Sequence, residues 1–319
     1  MKYVKMGNVE IPQIALGTWS WGTGINGGNM IFGNKLNEND LKPVFDEAMK
    51  NGFTLWDTAA VYGTGTAETL LGQFLVGNNA IISTKFTPMG IQSRNAMEKS
   101  LNKSISRLGI NNVDIYWIHN PQNVEKWTNE IIPLIKSGKV KYAGVSNHNL
   151  DEIKQADSIL KKAWLRLSAV QNHYSLLYMS SEKSGILDWC KENDVIFFAY
   201  MLLEQGALTG KYTNENPFKK GTRRGNSFPP EMLKKLESLI VTIKEVGEKY
   251  NASVAQIVMA WAIAKHTVPI IGVTKVSHIK EAEAALSICL SADQMLAIEN
   301  AAKLTGVTVK ASWEKEIVY

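Results

Sequence analysis

A chain of 319 residues with 45 % apolar and 20 % charged side chains can bury a large core, which excludes a disordered or low-complexity protein. Its net charge of +5 comes from scattered basic residues with one cluster at Lys219, Lys220, Arg223 and Arg224, so nothing demands nucleic acid and a small anionic ligand suffices. No stretch reaches the ~18 apolar residues of a membrane span and two cysteines make no disulfide framework; the expectation is a cytoplasmic protein with Cys190 and Cys289 as buried thiols in helices.

Residues 3 to 11 alternate as a hairpin. Eight short apolar runs follow: IALGTW (14–19), TLWDTA (54–59), AIISTKF (80–86), VDIYWIH (113–119), VKYAGVSN (140–147), SAVQNHY (168–174), VIFFAYM (195–201) and VPIIGV (268–273). Between them lie amphipathic stretches such as NDLKPVFDEAMKNG, SRNAMEKSLNKSISRLG, NLDEIKQADSILKKA and SGILDWCKEND, several opening on Asn or Ser and closing on Gly or Asn. Eight strand–helix units with mostly apolar strands predict a (β/α)8 TIM barrel, with an N-terminal β-hairpin and a long loop (203–229) after strand seven. No linker or composition shift divides the chain, so residues 1–319 read as one domain; an open doubly wound sheet is the competing arrangement.

The segment GTGING (22–27) is a literal G-x-G-x-x-G after the first strand. A dinucleotide fingerprint needs its third glycine to open a helix and an acidic residue about 20 positions later. Here the next helical pattern starts near Asp40 and no strand ending in Asp or Glu closes the unit at that distance, so the segment reads as a flexible first loop.

In a barrel the chemistry belongs at the C-terminal strand ends. Asp57 ends the second strand with Tyr62 just beyond, Lys85 ends the third and His119 the fourth; Ser146 and Asn147 end the fifth, Gln171 and His173 lie on the sixth, and Tyr200 ends the seventh. Singly, each has a structural explanation: turn former, solvated lysine, core histidine. Together, Asp57, Tyr62, Lys85 and His119 would share one crevice. A phenol ionises near pH 10, but an ammonium about 4 Å away at an effective dielectric near 20 favours the phenolate by up to roughly 4 kcal/mol, or about three pKa units. Asp57 would keep Lys85 protonated and His119 would orient a carbonyl oxygen. Such a proton donor suits the alkoxide formed when hydride adds to an aldehyde or ketone, with Asn147, Gln171 and the Tyr200 ring able to seat a nicotinamide.

With these residues in order, the chain resembles the aldo-keto reductases. The likeness runs through ALGTW (15–19), LWDTAAVYGTGTAETLLGQFL (55–75), ISTKF (82–86), VDIYWIHNP (113–121), GKVKYAGVSN (138–147), VQNHYS (170–175), YMLLEQGALTGKY (200–212) and VPIIGVTKVSHIKEA (268–282). The resemblance implies Tyr62 as general acid, Lys85 and Asp57 tuning it, and His119 orienting substrate. It implies Ser146, Asn147 and Gln171 on the nicotinamide carboxamide, Tyr200 stacked on its ring, and Gly17, Thr18 and Trp19 approaching the cofactor. Leu203 and Gly206 would lie along the pyrophosphate, with the 270s loop around the adenosine end.

Two departures bear on the cofactor. Met201 and Leu202 stand where many relatives have Ser-Pro, and the last phosphate-binding stretch offers Gly272, Thr274, Lys275, His278 and Ala282 in place of the basic residues common there. The expected cofactor is NADP, with NAD the alternative; Lys275, Lys280 and a helix start near Ser277 could neutralise a 2'-phosphate. Arg223 and Arg224 could strap the pyrophosphate. A small carbonyl substrate is expected to meet Trp21, Trp56, the first loop and the tail around Trp313. Oligomeric state stays undecided. Rival readings are a metal-dependent hydrolase built on His119, His148 and His173, although no H-x-H pair occurs and Lys85 would share the crevice, and a nucleotide-binding partner or redox sensor like the channel-associated β subunits.

Overall fold

The computed structural model describes residues 1–310. Strands β1 (Tyr3–Met6) and β2 (Val9–Pro12) pair antiparallel as a hairpin. The eight predicted runs become β3 (Ala15–Gly17), β4 (Leu55–Asp57), β5 (Ile81–Phe86), β6 (Val113–Ile118), β7 (Val140–Ser146), β8 (Leu167–His173), β9 (Ile196–Tyr200) and β10 (Val268–Gly272). They close into a parallel barrel in the order β10-β3-β4-β5-β6-β7-β8-β9, so the open-sheet alternative is set aside and the (β/α)8 expectation holds.

Helices start where polar caps stand. Asn37, Asn149, Ser253 and Ser291 each accept from the backbone three residues on, and Asp40, Glu152, Gln256 and Gln294 return the bond. The barrel interior below the mouth is apolar: Ala15, Leu55, Ile115, Trp117, Ala169, Phe198 and Val268 pack together, and Met6 and Ile11 of the hairpin join them. The hairpin thus plugs the N-terminal end, which leaves the C-terminal end for the site. A second, larger core lies between the strands and the surrounding helices.

Three details depart from the sequence expectations. A one-turn helix, Gly28–Ile31, does open after Gly27, but the crossover helix begins only at Glu38. The loop's glycines serve its own close approach: Gly28 N–H donates to the Gly22 carbonyl at 2.6 Å, and a Cβ on Gly28 would stand 2.1 Å from the Ser20 carbonyl oxygen. The long segment after β9 contains a 3-10 turn, Glu204–Thr209, and a short helix, Arg223–Ser227. Cys190 is buried as expected, whereas Cys289 is exposed and lies between the helices Val276–Ala285 and Ala292–Leu304. Among the described residues no helix is long and apolar enough to cross a membrane.

Candidate active site

Register brings the polar strand ends to one level. Asp57 on β4 pairs with Gly17 on β3 and with Ser83 on β5; Ser146 on β7 pairs with Gln171 on β8, and His173 with Tyr200 on β9. Lys85 is 0 % exposed, and its ammonium donates to Asp57 Oδ2 at 2.5 Å and to the Thr58 carbonyl at 2.7 Å. Asp57 Oδ1 accepts from Ser83 Oγ at 2.7 Å and from Gln171 Nε2 at 3.2 Å. Trp117 Nε1 donates to Ser83 Oγ, so the carboxylate is braced from β5 beside it, from β8 across the barrel and, through Ser83, from β6. A buried ion pair persists when its remaining hydrogen-bonding capacity is met in this way.

Tyr62 begins a tight turn, Tyr62–Gly65, that leads into the helix Thr66–Leu75. Gly65 has φ 95°, and a Cβ there would fall 2.6 Å from Nε of Arg107, whose guanidinium crosses the turn. Arg107 bonds the buried Glu68, which accepts from Thr84, the neighbour of Lys85. The turn holding Tyr62 is thereby fastened to the strand holding Lys85. The Lys85 ammonium stands 5.1 Å from the centroid of the Tyr62 ring, and His119 meets that ring edge-on at 6.3 Å. Asp57, Tyr62, Lys85 and His119 do converge.

Burial lowers the Lys85 ammonium below its ordinary value while Asp57 pulls it back up. His119 is held down at about 3, by burial first and the Lys85 charge second, so it is neutral near pH 7. Its Nδ1 bonds the Thr87 hydroxyl at 2.8 Å, leaving Nε2 as the other ring nitrogen. Tyr62 corrects the sequence expectation: its phenol lies well above the ordinary value, through burial and then the Asp57 charge. Burial is the larger cause, and the Asp57 carboxylate paired with Lys85 offsets the pull of the ammonium on the phenol.

Next to the quartet, Asn147 adopts φ 63°, and its Nδ2 donates to the His119 carbonyl and to Ser146 Oγ. Tyr200 Oη donates to Asn147 Oδ1 at 2.5 Å. Gly17 pairs with Gly272 at the β3–β10 seam, and Thr18 hydrogen-bonds the Asp57 carbonyl. Met201, Leu203 and Gly206 are half-buried along the turn after β9. The helix expected near Ser277 starts at Val276, with Thr274 N–H donating to His278 Nδ1. His278 is lowered by burial and by the charges of Lys275 and Lys211.

The substrate tryptophans are corrected. Trp21 and Trp56 are 1 % and 0 % exposed, packed on each other with Phe45 and Phe74 behind the barrel wall, where their rings belong to the core. Trp313 lies outside the described residues. Trp19 is instead half-buried, stacked on Tyr62 at 5.6 Å and met edge-on by Phe32 at 5.2 Å. Arg224 sits over the Phe32 ring and donates to its carbonyl at 3.0 Å, tying the long loop to the first one. The three histidines of the hydrolase reading do not converge. His119 bonds Thr87, His148 the Ser146 carbonyl and His173 Glu204, and among the described residues no three His, Cys, Asp or Glu side chains form a metal-ligand group.

Sequence reasoning missed Ser83, although it lies two residues from Lys85 on the same side of β5, and Thr87, which follows directly after that strand. It also missed Lys211, Phe32 and Glu204, which no local spacing ties to the quartet.

Comparison with known proteins agrees with this geometry. Residues 13–303 match the model of the Aldo/keto reductase family. The chain is 31 % identical to a chloroplastic pyridoxal reductase of Arabidopsis thaliana, over 94 % of this chain and 86 % of that protein. It is 28 % identical to the aldo-keto reductase yakc [NADP(+)] of Schizosaccharomyces pombe, over 90 % and 87 %. Among solved structures, a thermostable aldo-keto reductase bound to the inhibitor epalrestat superposes with a TM-score of 0.75 at 26 % identity, over 94 % of this chain and all of that one. The glycerol dehydrogenase of Gluconobacter oxydans shares the fold, with a TM-score of 0.83 at 21 % identity over 98 % and 99 % of the two chains. With a closed barrel, a buried Lys–Asp pair beside a tyrosine and a family match over nearly its whole length, this chain belongs to the aldo/keto reductase family.

Proposed function

We propose that the protein reduces small aldehydes or ketones to alcohols with NADPH, NADH being the alternative donor, and that Tyr62 delivers the proton. The observation that carries this reading is the buried Lys85–Asp57 pair with its ammonium 5.1 Å from the Tyr62 ring. A raised phenol pKa keeps Tyr62 protonated at neutral pH, as a general acid requires. Once the proton leaves, Lys85 is the nearest cation to the phenolate, and Asp57 keeps that cation charged despite its burial. Neutral His119, with Nδ1 engaged by Thr87, has Nε2 to donate to a carbonyl oxygen and hold it towards Tyr62.

The residues present fit a nicotinamide cofactor. Gln171 spends one N–H on Asp57 and keeps its carbonyl, Ser146 and Asn147 stand on the adjacent strand end, and the Tyr200 ring is half-buried at the next one along. Those four would hold the carboxamide and ring. Gly17, Thr18 and Trp19 would border the cofactor, Leu203 and Gly206 the pyrophosphate, and Gly272, Thr274, Lys275 and His278 the adenosine end. The bound cofactor supplies a hydride to the carbonyl carbon. NADP is favoured over NAD because Lys275 stands at the N-cap of the helix Val276–Ala285, where a cation and a helix start could meet a 2'-phosphate, and because the fission-yeast relative carries NADP(+) in its name. The substrate wall is Trp19 with Phe32 in place of Trp21 and Trp56.

Titration of the purified protein with NADPH and NADH, followed by a panel of carbonyls that includes an aromatic aldehyde such as pyridoxal, tests the reading. Micromolar NADPH binding with steady turnover is expected. Tight binding with only single slow turnovers would favour the channel-β-subunit-like partner or sensor, and failure to bind either nucleotide would overturn the proposal.

A further inference from the structure

We propose that His173 and Glu204 form a positioning pair that sets the ring of Tyr200, an inference that rests on reading Tyr200 as the nicotinamide platform. His173 ends β8 and Tyr200 ends β9, and the two are register partners. Their rings stack at 5.7 Å with planes 24° apart, and Tyr178 stacks on the same imidazole at 4.5 Å and 24°. Tyr178, His173 and Tyr200 make one run of near-parallel rings whose last member is the platform. The far end of Tyr200 is fixed by its hydroxyl on Asn147, and the imidazole lies against its ring.

The imidazole is itself pinned from below. His173 Nε2 meets Glu204 Oε1 at 2.7 Å, and Ser175 Oγ donates to the same oxygen. The side chains of His173 and Glu204 are 1 % and 0 % exposed, so neither bond competes with bulk water. Glu204 Oε2 is buried without a hydrogen-bond partner among the described residues, a placement that costs stability and that an apolar side chain would avoid. Its backbone adds to that cost: Met201, Glu204 and Gln205 have φ of 59°, 45° and 56°, left-handed values that side chains rarely adopt. Glu204 therefore anchors a strained turn that begins directly after the platform and leads through Leu203 to Gly206. A carboxylate held here at such expense has a use in the geometry it fixes: it locks His173, His173 sets Tyr200, and the same anchor shapes the turn beside the pyrophosphate.

The test is a double-mutant cycle on the full chain, read by NADPH affinity and by the emission of bound NADPH. Glu204→Leu should weaken NADPH about 10-fold and shift that emission, since a stacked ring pair is worth about that much. Glu204→Gln, whose amide oxygen still accepts from His173 and Ser175, should stay within about 3-fold. In a Tyr200→Leu background the Glu204→Leu effect should vanish, because no platform is left to position. His173→Phe, which keeps a stacking ring and loses the bond to Glu204, completes the same cycle if Glu204→Leu fails to fold. Parental affinity and emission in both variants, or a loss of equal size with and without Tyr200, would overturn the pair while leaving NADPH binding by the parent intact. A parent that binds no nucleotide overturns the functional reading and this inference with it.

Discussion

Along single strands of this barrel, two successive inward positions lead opposite lives. Leu55 and Asp57 on β4, Ala169 and Gln171 on β8, and Phe198 and Tyr200 on β9 each lie two residues apart on one side of the sheet. The lower member belongs to an apolar floor closed by Met6 and Ile11, whereas among the upper members Asp57 bonds Lys85 and Ser83, Gln171 bonds Asp57 and Tyr200 bonds Asn147. The floor needs no partner and contributes stability, while the mouth holds a buried cation that is tolerable only because Asp57 and the Thr58 carbonyl surround it. Rigidity at one end is what lets desolvated polar groups stand in fixed positions at the other.

The largest effect should follow from breaking the mouth. Lys85→Met leaves Asp57 buried without its cation, and we expect a loss of about 3–5 kcal/mol in stability together with at least a 100-fold loss of turnover. Pairing it with Asp57→Leu should restore much of the stability and none of the turnover, read by denaturant melts and steady-state rates on the same samples. The floor should behave in the opposite way. Ile11→Ala is expected to cost about 2–5 kcal/mol and to leave kcat and cofactor affinity within about 2-fold of the parent at a temperature where both are folded. A floor variant that lost turnover without losing stability would break the comparison.

A smaller effect separates the tryptophans. Trp19→Ala should raise KM for aromatic carbonyls about 10-fold, since its indole is stacked on Tyr62 in the mouth. Trp21→Phe, which removes a hydrogen bond from the indole to the Val273 carbonyl in the core, should lower the melting temperature and leave KM nearly unchanged.

These two tryptophans also mark how far the sequence could be read. All eight strands were legible because each is a short apolar run set off from longer amphipathic or turn-forming stretches, and Asp57, Lys85, His119 and Gln171 were legible because a polar residue at the end of such a run is conspicuous. Trp21 and Trp56 misled because a large aromatic near a strand end looks the same whether its ring turns inward or outward; packing against Phe45 and Phe74 decides it. The Tyr62 acidity misled for another reason. Pairwise arithmetic between Lys85 and the phenol omits the burial of the phenol and the carboxylate that compensates the cation. Glu204 stayed hidden because it lies in a turn and its partner His173 ends β8, 31 positions away in the chain.

The smallest effect concerns pH. His119 titrates near 3 when folded and near the ordinary value of about 6.5 when unfolded, so the unfolded chain takes up the proton first as the medium is acidified. The stability tied to its neutral form is present above about pH 6.5 and is lost progressively towards pH 3. Melting temperature should fall over that window, less steeply in His119→Gln, and kcat/KM should show no His119 ionisation between about pH 5 and 8.

The central claim is that Tyr62 gives the proton while other side chains hold the cofactor, and one variant addresses it directly. Single-turnover reduction by Tyr62→Phe, measured beside NADPH affinity, should show affinity within about 2-fold of the parent and a rate lower by about 10²–10⁴-fold. A Tyr62→Phe enzyme that reduces carbonyls at close to the parental rate would contradict the account.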